Sequence, residues 1–389
     1  MKPTMPARVA NLSRRLQILF AVSSGVLLLG LWHAPERAWL ALLLGSFALV
    51  GFGLSGIFFV ALQYATGAKW SIPLRRVGEA LSRVLPFGGA GILVVLVLHP
   101  SLYPWYGHAL ESSEGWIGFK QTWLSYPLFL GRAVVFLAVW LLFSWRIRRN
   151  SERQDQEGGM ARTRKNTRLS VAFMVVFGVT FWLATTDWIM SLEPNWGSTI
   201  FGIYQFSGMF VSGLALVSLL TLGLRATSPL RQGVRDAQLL DLGRMIVAFA
   251  TFWAYIWFSQ FMLIWYANLS EETPYMALRT NAAWGGLFVA NLLLNWAIPF
   301  LLLLPRANKM NPRTLATAAV IVLVGRWVDL DLMVVPPFSP ARSWPTLWDF
   351  AVLATVASGL LLVSLRSFFA QEPLPVGDPY LLGTLEEHV

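Results

Sequence analysis

From Ala38 to Leu62 the chain reads AWLALLLGSFALVGFGLSGIFFVAL, without one charged side chain. An α-helix needs roughly 20 such residues to cross a hydrocarbon layer about 30 Å thick, so this stretch is long enough to span a bilayer. Nine others match or approach it, and the ten run over 16–32, 38–62, 81–98, 126–145, 169–191, 200–224, 245–266, 284–304, 314–335 and 347–367. The stretch 81–98 carries Gly88-Gly89-Ala90-Gly91 beside Pro86. Such a cluster breaks a helix in water but is tolerated where neighbouring helices re-satisfy the backbone.

Composition agrees. The 389 residues are 56% hydrophobic and 13% charged, with mean hydropathy +0.57, whereas about a quarter of the residues in soluble domains are charged. The expectation is an all-α integral membrane protein, one polytopic domain over 1–389 with about ten transmembrane helices. Arg14 and Arg15 precede the first apolar run as in a signal peptide, but no small-x-small cleavage site follows, so the run reads as a retained helix.

The net charge of +10 is not that of a nucleic-acid surface, because the basic residues lie in short stretches between apolar runs. They alternate by side. The N-terminus, the connections 63–80, 146–168, 225–244 and 305–313, and the tail, with Arg83 nearby, hold 24 of the 30 Lys and Arg. The opposite connections hold Arg37, Lys120, Arg279 and Arg342, while Arg132 and Arg326 fall inside helices. Basic connections stay on the cytoplasmic side, so both termini are expected there. The connection 146–168, with Glu152, Asp155, Glu157, Gly158 and Gly159 at its middle, reads as polar and flexible. On the other side the long connection from His99 to Trp123 carries Trp105, Tyr106, His108, Glu111, Glu114 and Trp116, enough for an aromatic belt or for a docked partner protein.

Cysteine is absent, which excludes disulfides, thiolate-held iron–sulfur clusters, c-type haem attachment and thiol nucleophiles. The four histidines are His33 and His99 at helix ends, His108 in a connection and His388 in the tail; none pairs with another at membrane depth, as a b-type haem requires. No redox centre and no metal are expected on this chain. Nor is there a glycine-rich phosphate loop, a zinc motif or a Ser-His-Asp pattern.

Ionisable groups inside a spanning helix cost about 2.5 kcal/mol or more, which makes each a functional candidate. Here they are Arg132, Asp187, Arg326, Asp329, Asp331 and Asp349, with Glu193 and His99 at helix ends; all lie toward the side opposite the basic one. Arg326 and Asp329 are three residues apart and share a helix face. Asp331 lies about 200° further round than Asp329 and needs another cation, a proton or water. Asp187 and Glu193 read either as proton-exchanging acids or as interfacial caps. Asn291 with Asn295, and Tyr255, Ser259 and Gln260, read as polar glue between helices; Gly208 and Ser212 read as a close-packing pair. Glu79, Asp241 and Arg244 read as solvated helix ends.

Three strings carry a resemblance: TTDWIMSLEPNWGSTIFGIYQFSGMFVSGLAL from Thr185, DLGRMIVAFATFWAYIWFSQFMLIWYANLSEET from Asp241, and GRWVDLDLMVVPP from Gly325. They resemble the second quinone-binding-type membrane subunit (ActF) of bacterial alternative complex III, within the NrfD-like group of polysulfide-reductase membrane subunits. The strings lie within residues 185–337, about 40% of the chain. The resemblance implies two four-helix bundles, helices two to five and six to nine, flanked by helices one and ten, in the inner membrane. It implies a subunit of a respiratory or photosynthetic quinol:electron-acceptor oxidoreductase that takes part in proton translocation and assembly. Implied partners are a sister NrfD-like quinol-binding subunit, a periplasmic iron–sulfur subunit, multihaem and monohaem cytochrome c subunits, and lipids. Iron–sulfur clusters and haem c belong to those partners, and a quinone is the one cofactor left open for this chain. Asp187, Glu193, Arg326, Asp329 and Asp331 match acidic and polar positions of the motifs; Asn195 stands where the family pattern has histidine, which weakens an outer-face proton role. The rival readings are a structural anchor and, ranked last, a secondary transporter, whose charged site lies nearer the midplane.

Overall fold

A computed structural model describes residues 5–107, 117–226, 230–341, 345–381 and 383. His108, Glu111, Glu114, Trp116, Arg342, Trp344 and His388 lie outside them. The described residues form helices joined by short connections, with no strand among them. The long elements are α1 (Ala7–His33), α2 (Pro35–Thr66), α3 (Arg75–Ser82), α4 (Leu85–Leu98), α5 (Ile117–Trp123), α6 (Tyr126–Glu157), α7 (Met160–Trp188) and α8 (Phe201–Arg225). They continue as α9 (Asp236–Ala267), α10 (Thr273–Thr280), α11 (Gly285–Leu303), α12 (Pro312–Val334) and α13 (Leu347–Phe369).

Among the described residues nine helical stretches are long and apolar enough to cross a membrane, which suits a multi-pass membrane protein. The stretch α12 is not one of the nine, because Arg326, Asp329 and Asp331 interrupt its apolar surface, yet it is a continuous 23-residue helix. The glycine-rich run 85–98 is also helical, continuing from a 3₁₀ turn at Lys69–Leu74 and α3. Its glycines allow backbone contact with α2: a Cβ on Gly88 would sit 2.6 Å from the Val50 nitrogen, and one on Gly53 2.8 Å from the Leu85 nitrogen.

The most enclosed helices are α2 and α8, which pack against each other. Ser55 on α2 donates to the Met209 carbonyl of α8 at 3.2 Å, and Phe58 sits among Phe177, Phe206 and Phe210 at 5.1–5.2 Å between ring centres. Around α2 lie α4 and α7, with α6 against α7; around α8 lie α9 and α12, with α11 against α12. Outside both groups α1 packs along α13.

The connection 146–168 is not a flexible loop. The helix α6 runs on to Glu157 and α7 begins at Met160, turning only at Gly158 and Gly159, whose φ angles are 68° and 85°. Side chains hold this polar hairpin shut: Asn150 donates to Asn166 at 2.8 Å and Gln154 to Thr163 at 2.7 Å. Beneath it Glu79 is fully buried rather than solvated, paired with Arg76 at 2.6 Å, and Arg76 also reaches Asp155. The C-terminal tail closes the same face, with Asp378 paired to Arg75 and the Gly377 amide on Asp155. Sequence distance hid this: the partners of Arg76 and Arg75, the neighbours of Glu79, are Asp155 and Asp378, about 80 and 300 positions away. Asp241 and Arg244 do remain a surface pair, at 2.8 Å.

Replacing Gly88 by valine forces α2 and α4 apart, and about 1–3 kcal/mol of stability should be lost. Gly178→Ala, where a Cβ meets nothing within 4 Å, should melt like the parent. Thermal melting in detergent distinguishes the two; equal melting of parent and Gly88→Val would contradict the α2–α4 contact.

Candidate functional site

Two carboxylates, Asp329 and Asp187, are fully buried at the end of the helices remote from the basic connections. The first is Asp329 on α12, fully enclosed. A lone carboxylate there would be prohibitively costly, and its charge is cancelled one helical turn away by Arg326, whose Nη1 donates at 2.6 Å. Asn291 donates at 3.0 Å, Trp253 at 3.4 Å, and the Tyr204 hydroxyl completes the shell. Arg326 passes its other terminal nitrogen to Gln205 at 2.8 Å.

Gly208 serves this pair directly: a Cβ there would lie 2.4 Å from Arg326 Nη1. It makes room for a guanidinium, which is the correction to reading Gly208 and Ser212 as a helix-packing pair. Ser212 bonds only to its own helix, through the Gly208 and Met209 carbonyls. Asn291 is likewise more than glue between helices. It sits just before a π-helical turn, Leu293–Ala297, followed by Pro299, which has no amide proton to donate. From that turn Asn295 donates back to Asn291 at 2.7 Å, fixing the amide that faces Asp329.

Arg279 on the short helix α10 was missed. Its guanidinium stacks on Tyr275 at 3.4 Å, pairs with Glu193 at 2.5 Å and donates to the Leu332 and Met333 carbonyls at 2.8 and 2.9 Å. It therefore satisfies carbonyls near the end of α12 that have no partner within that helix. A signal existed: basic residues are scarce on this side, so each one needs a local reason. Arg37 likewise pairs with Asp349 at 2.8 Å and lies 4.0 Å from Asp331. It is the separate cation that the angular position of Asp331 demands. Asp349 also caps α13 through the Thr346 amide at 2.6 Å.

The second centre is Asp187, near the end of α7 and fully buried. Arg132 on α6 grips it through two nitrogens, at 2.8 and 3.1 Å, and the Trp123 indole donates at 2.8 Å. The Arg132 guanidinium lies 4.0 Å over the Trp123 ring. Unlike Arg326, it keeps 17% of its side chain exposed. Nearby, Trp105 donates to Ser191 at 3.2 Å and Tyr103 to the Trp188 carbonyl at 3.0 Å. His99 belongs to neither centre. It stacks on Trp39 at 5.2 Å, and burial holds its pKa below the usual imidazole value although Glu36 pulls the other way.

One groove of about 580 Å³ opens between α5, α7, α9 and the connection ahead of α8, walled by Trp123, Trp182, Thr186, Ser198, Gln260 and Glu272 among others, and both centres approach it. Trp123 lines the groove and binds Asp187. Gln260 lines both the groove and a cavity of about 30 Å³ that also contains Tyr204, Asn291, Asp329 and Arg279. That cavity has room for a water molecule or two, and Gln260 Oε1 is buried there with no protein donor. Of the polar stripe on α9, Tyr255 faces outward while Gln260 faces this cavity. A single side chain thus separates each carboxylate centre from the groove.

A scan against protein-family models and a search of curated proteins both return no match.

Asp329→Asn leaves Arg326 buried without a counter-charge and should destabilise the chain by about 3–5 kcal/mol. The charge-neutral double variant Arg326→Gln/Asp329→Asn should recover most of that loss. Asp187→Asn should be milder, because Arg132 reaches water. Thermal melting of the three variants tests the ranking; an Asp329→Asn protein as stable as its parent would mean that the pair is not buried as charges.

Proposed function

We propose that this chain is a ten-helix membrane subunit of a quinol:electron-acceptor oxidoreductase of the alternative complex III type. In this reading α12 is the tenth crossing, made tolerable by the partners of its three charges. The groups around α2 and α8 are the two four-helix bundles, and α1 and α13 flank them. The positive-inside rule puts both termini in the cytoplasm and the carboxylate centres at the periplasmic side of a bacterial inner membrane. The chain carries no redox centre; iron–sulfur clusters and haem c sit in partner subunits, beside a sister quinol-binding membrane subunit. A quinone is the one cofactor this reading admits for the chain itself, in the groove between α5, α7 and α9.

The observation that carries the proposal is the shared groove. Asp187 and Asp329 reach it through Trp123 and Gln260, an arrangement suited to passing protons between buried acids and the periplasm while quinol is oxidised elsewhere in the complex. A specific observation favours a second reading, a structural anchor: each acid is already paired with an arginine, Asp187 across helices to Arg132 and Asp329 within α12 to Arg326, as groups that only hold the bundle together would be.

Extraction in mild detergent should bring this chain out with partners showing the visible spectrum of haem c. Asp187→Asn should leave that complex intact and lower the number of protons moved per electron. An unchanged ratio with a reduced yield of complex would favour the anchor. A colourless chain isolated alone would overturn both readings.

A further inference from the structure

The helix pair α1–α13 stands partly off the rest of the molecule. Along its most apolar 18 residues α1 is only 22% buried, against 89% for α2. What holds α1 is α13: the Trp348 ring fills the space beside Gly30, Phe20 packs at Gly359, and Thr355 donates to Ser23 at 2.9 Å. On either side of the pair a cleft remains. One, of about 440 Å³, lies between α1, α8, α12 and α13 and is walled by Leu12, Phe52, Leu220, Leu323 and Leu361, with Arg8 at its end. The other, of about 520 Å³, lies between α1, α2, α4 and α13 and is walled by Phe20, Leu49, Phe87 and Val363, with Gln17 and Arg366 at its end.

The two clefts share a chemical plan. Over the depth of the apolar layer their walls are mostly hydrocarbon, with Ser46 and Thr355 the polar exceptions in the second, so water would find few partners there. Each ends at the basic face beside an arginine that pairs with no described carboxylate. From Met5 to Ala34 the chain contains Arg8, Arg14 and Arg15 and no acidic residue at all, so α1 brings positive charge and no counter-charge to this corner of the basic face. Volumes of about 440 and 520 Å³ suit a flexible hydrocarbon chain better than a helix about 10 Å across. A phosphate at the mouth would meet the guanidinium in charge-assisted hydrogen bonds.

We propose that the clefts flanking α1–α13 are binding sites for anionic phospholipid, with acyl chains in the slots and phosphates held at their mouths by Arg8 in one and Arg366 in the other. The bound lipid fills the space that α1 leaves and fastens the pair α1–α13 to the two bundles. Commitment to an anionic headgroup follows from charge. A choline group would set a second cation beside unpaired arginines, and a detergent tail would fill a slot without answering the charge.

The full-length chain, purified in a neutral detergent and stripped of lipid, is titrated with dioleoyl phosphatidylglycerol or dioleoyl phosphatidylcholine and followed by native mass spectrometry and thermal melting. The expected result is about a tenfold preference for phosphatidylglycerol, with a larger rise in melting temperature. Arg8→Gln/Arg366→Gln should erase the preference while lipid of both kinds is still retained. Gly223→Leu provides a steric arm that leaves charge untouched. Gly223 lines the first cleft, and a Cβ there meets nothing within 4 Å among the described residues, so the variant should hold less lipid while its melting in lipid-free detergent stays near that of the parent. Equal affinity for the two lipids, a preference that survives loss of both arginines, or unchanged lipid retention in Gly223→Leu would each overturn the proposal. Should the arginine variant fail to fold, the comparison of lipids on the parent and the Gly223→Leu result still decide it.

Discussion

A carboxylate and a guanidinium enclosed in a low-dielectric bundle must cancel one another, and the Arg326–Asp329 pair imposes that condition on everything around it. Asp329 is wholly buried and Arg326 nearly so, so neither can borrow solvation from water. The surroundings meet the cost with geometry. Gly208 leaves space for the guanidinium, Gln205 takes its second nitrogen, and Tyr204, Trp253 and Asn291 supply the remaining donors to the carboxylate. Three helices besides α12 contribute side chains to this one pair, which ties the bundle around α8 into a single packing solution. The π-helical turn in α11 belongs to the same solution, since it carries Asn295, which holds Asn291 in place.

Asp187 follows the same rule with a looser outcome. Its arginine is partly accessible and its third donor, Trp123, comes from the short helix α5 in a connection rather than from a spanning helix. One centre is therefore fully enclosed, the other closer to water, and the groove between α5, α7 and α9 is one side chain away from each. A rigid pair next to a more open one is a usable order for moving protons toward one face. At the opposite end of the molecule, the Arg76–Glu79–Asp155 cluster and the docked tail close the basic face. Charge is concentrated at the two ends, and the middle is nearly all hydrocarbon.

The helices were legible in the sequence because their signal is local: length without charge marks nearly every long helix, and even the glycine run 85–98 could be placed once close packing was allowed. The partners were not, because they are set by tertiary neighbours. That Asp331 needs a cation other than Arg326 followed from a helical wheel, but that the cation is Arg37, almost 300 residues earlier, did not. The polar hairpin 146–168 looked like a loop because its composition is that of one; cross-helix amide pairs such as Asn150–Asn166 make it helical, and spacing alone does not reveal them. Arg279 was overlooked as an isolated charge in a connection, although its rarity on that side was itself the clue.

The proposed proton role rests on the carboxylate of Asp187 exchanging its proton with water at the end remote from the basic connections. Infrared difference spectroscopy of the intact complex, titrated in light and heavy water, reads it most directly. The account predicts a carboxylic C=O band that changes with pH, shifts in heavy water and is missing in Asp187→Asn. A parent spectrum with no such band at any pH, identical to that of the variant, would contradict it.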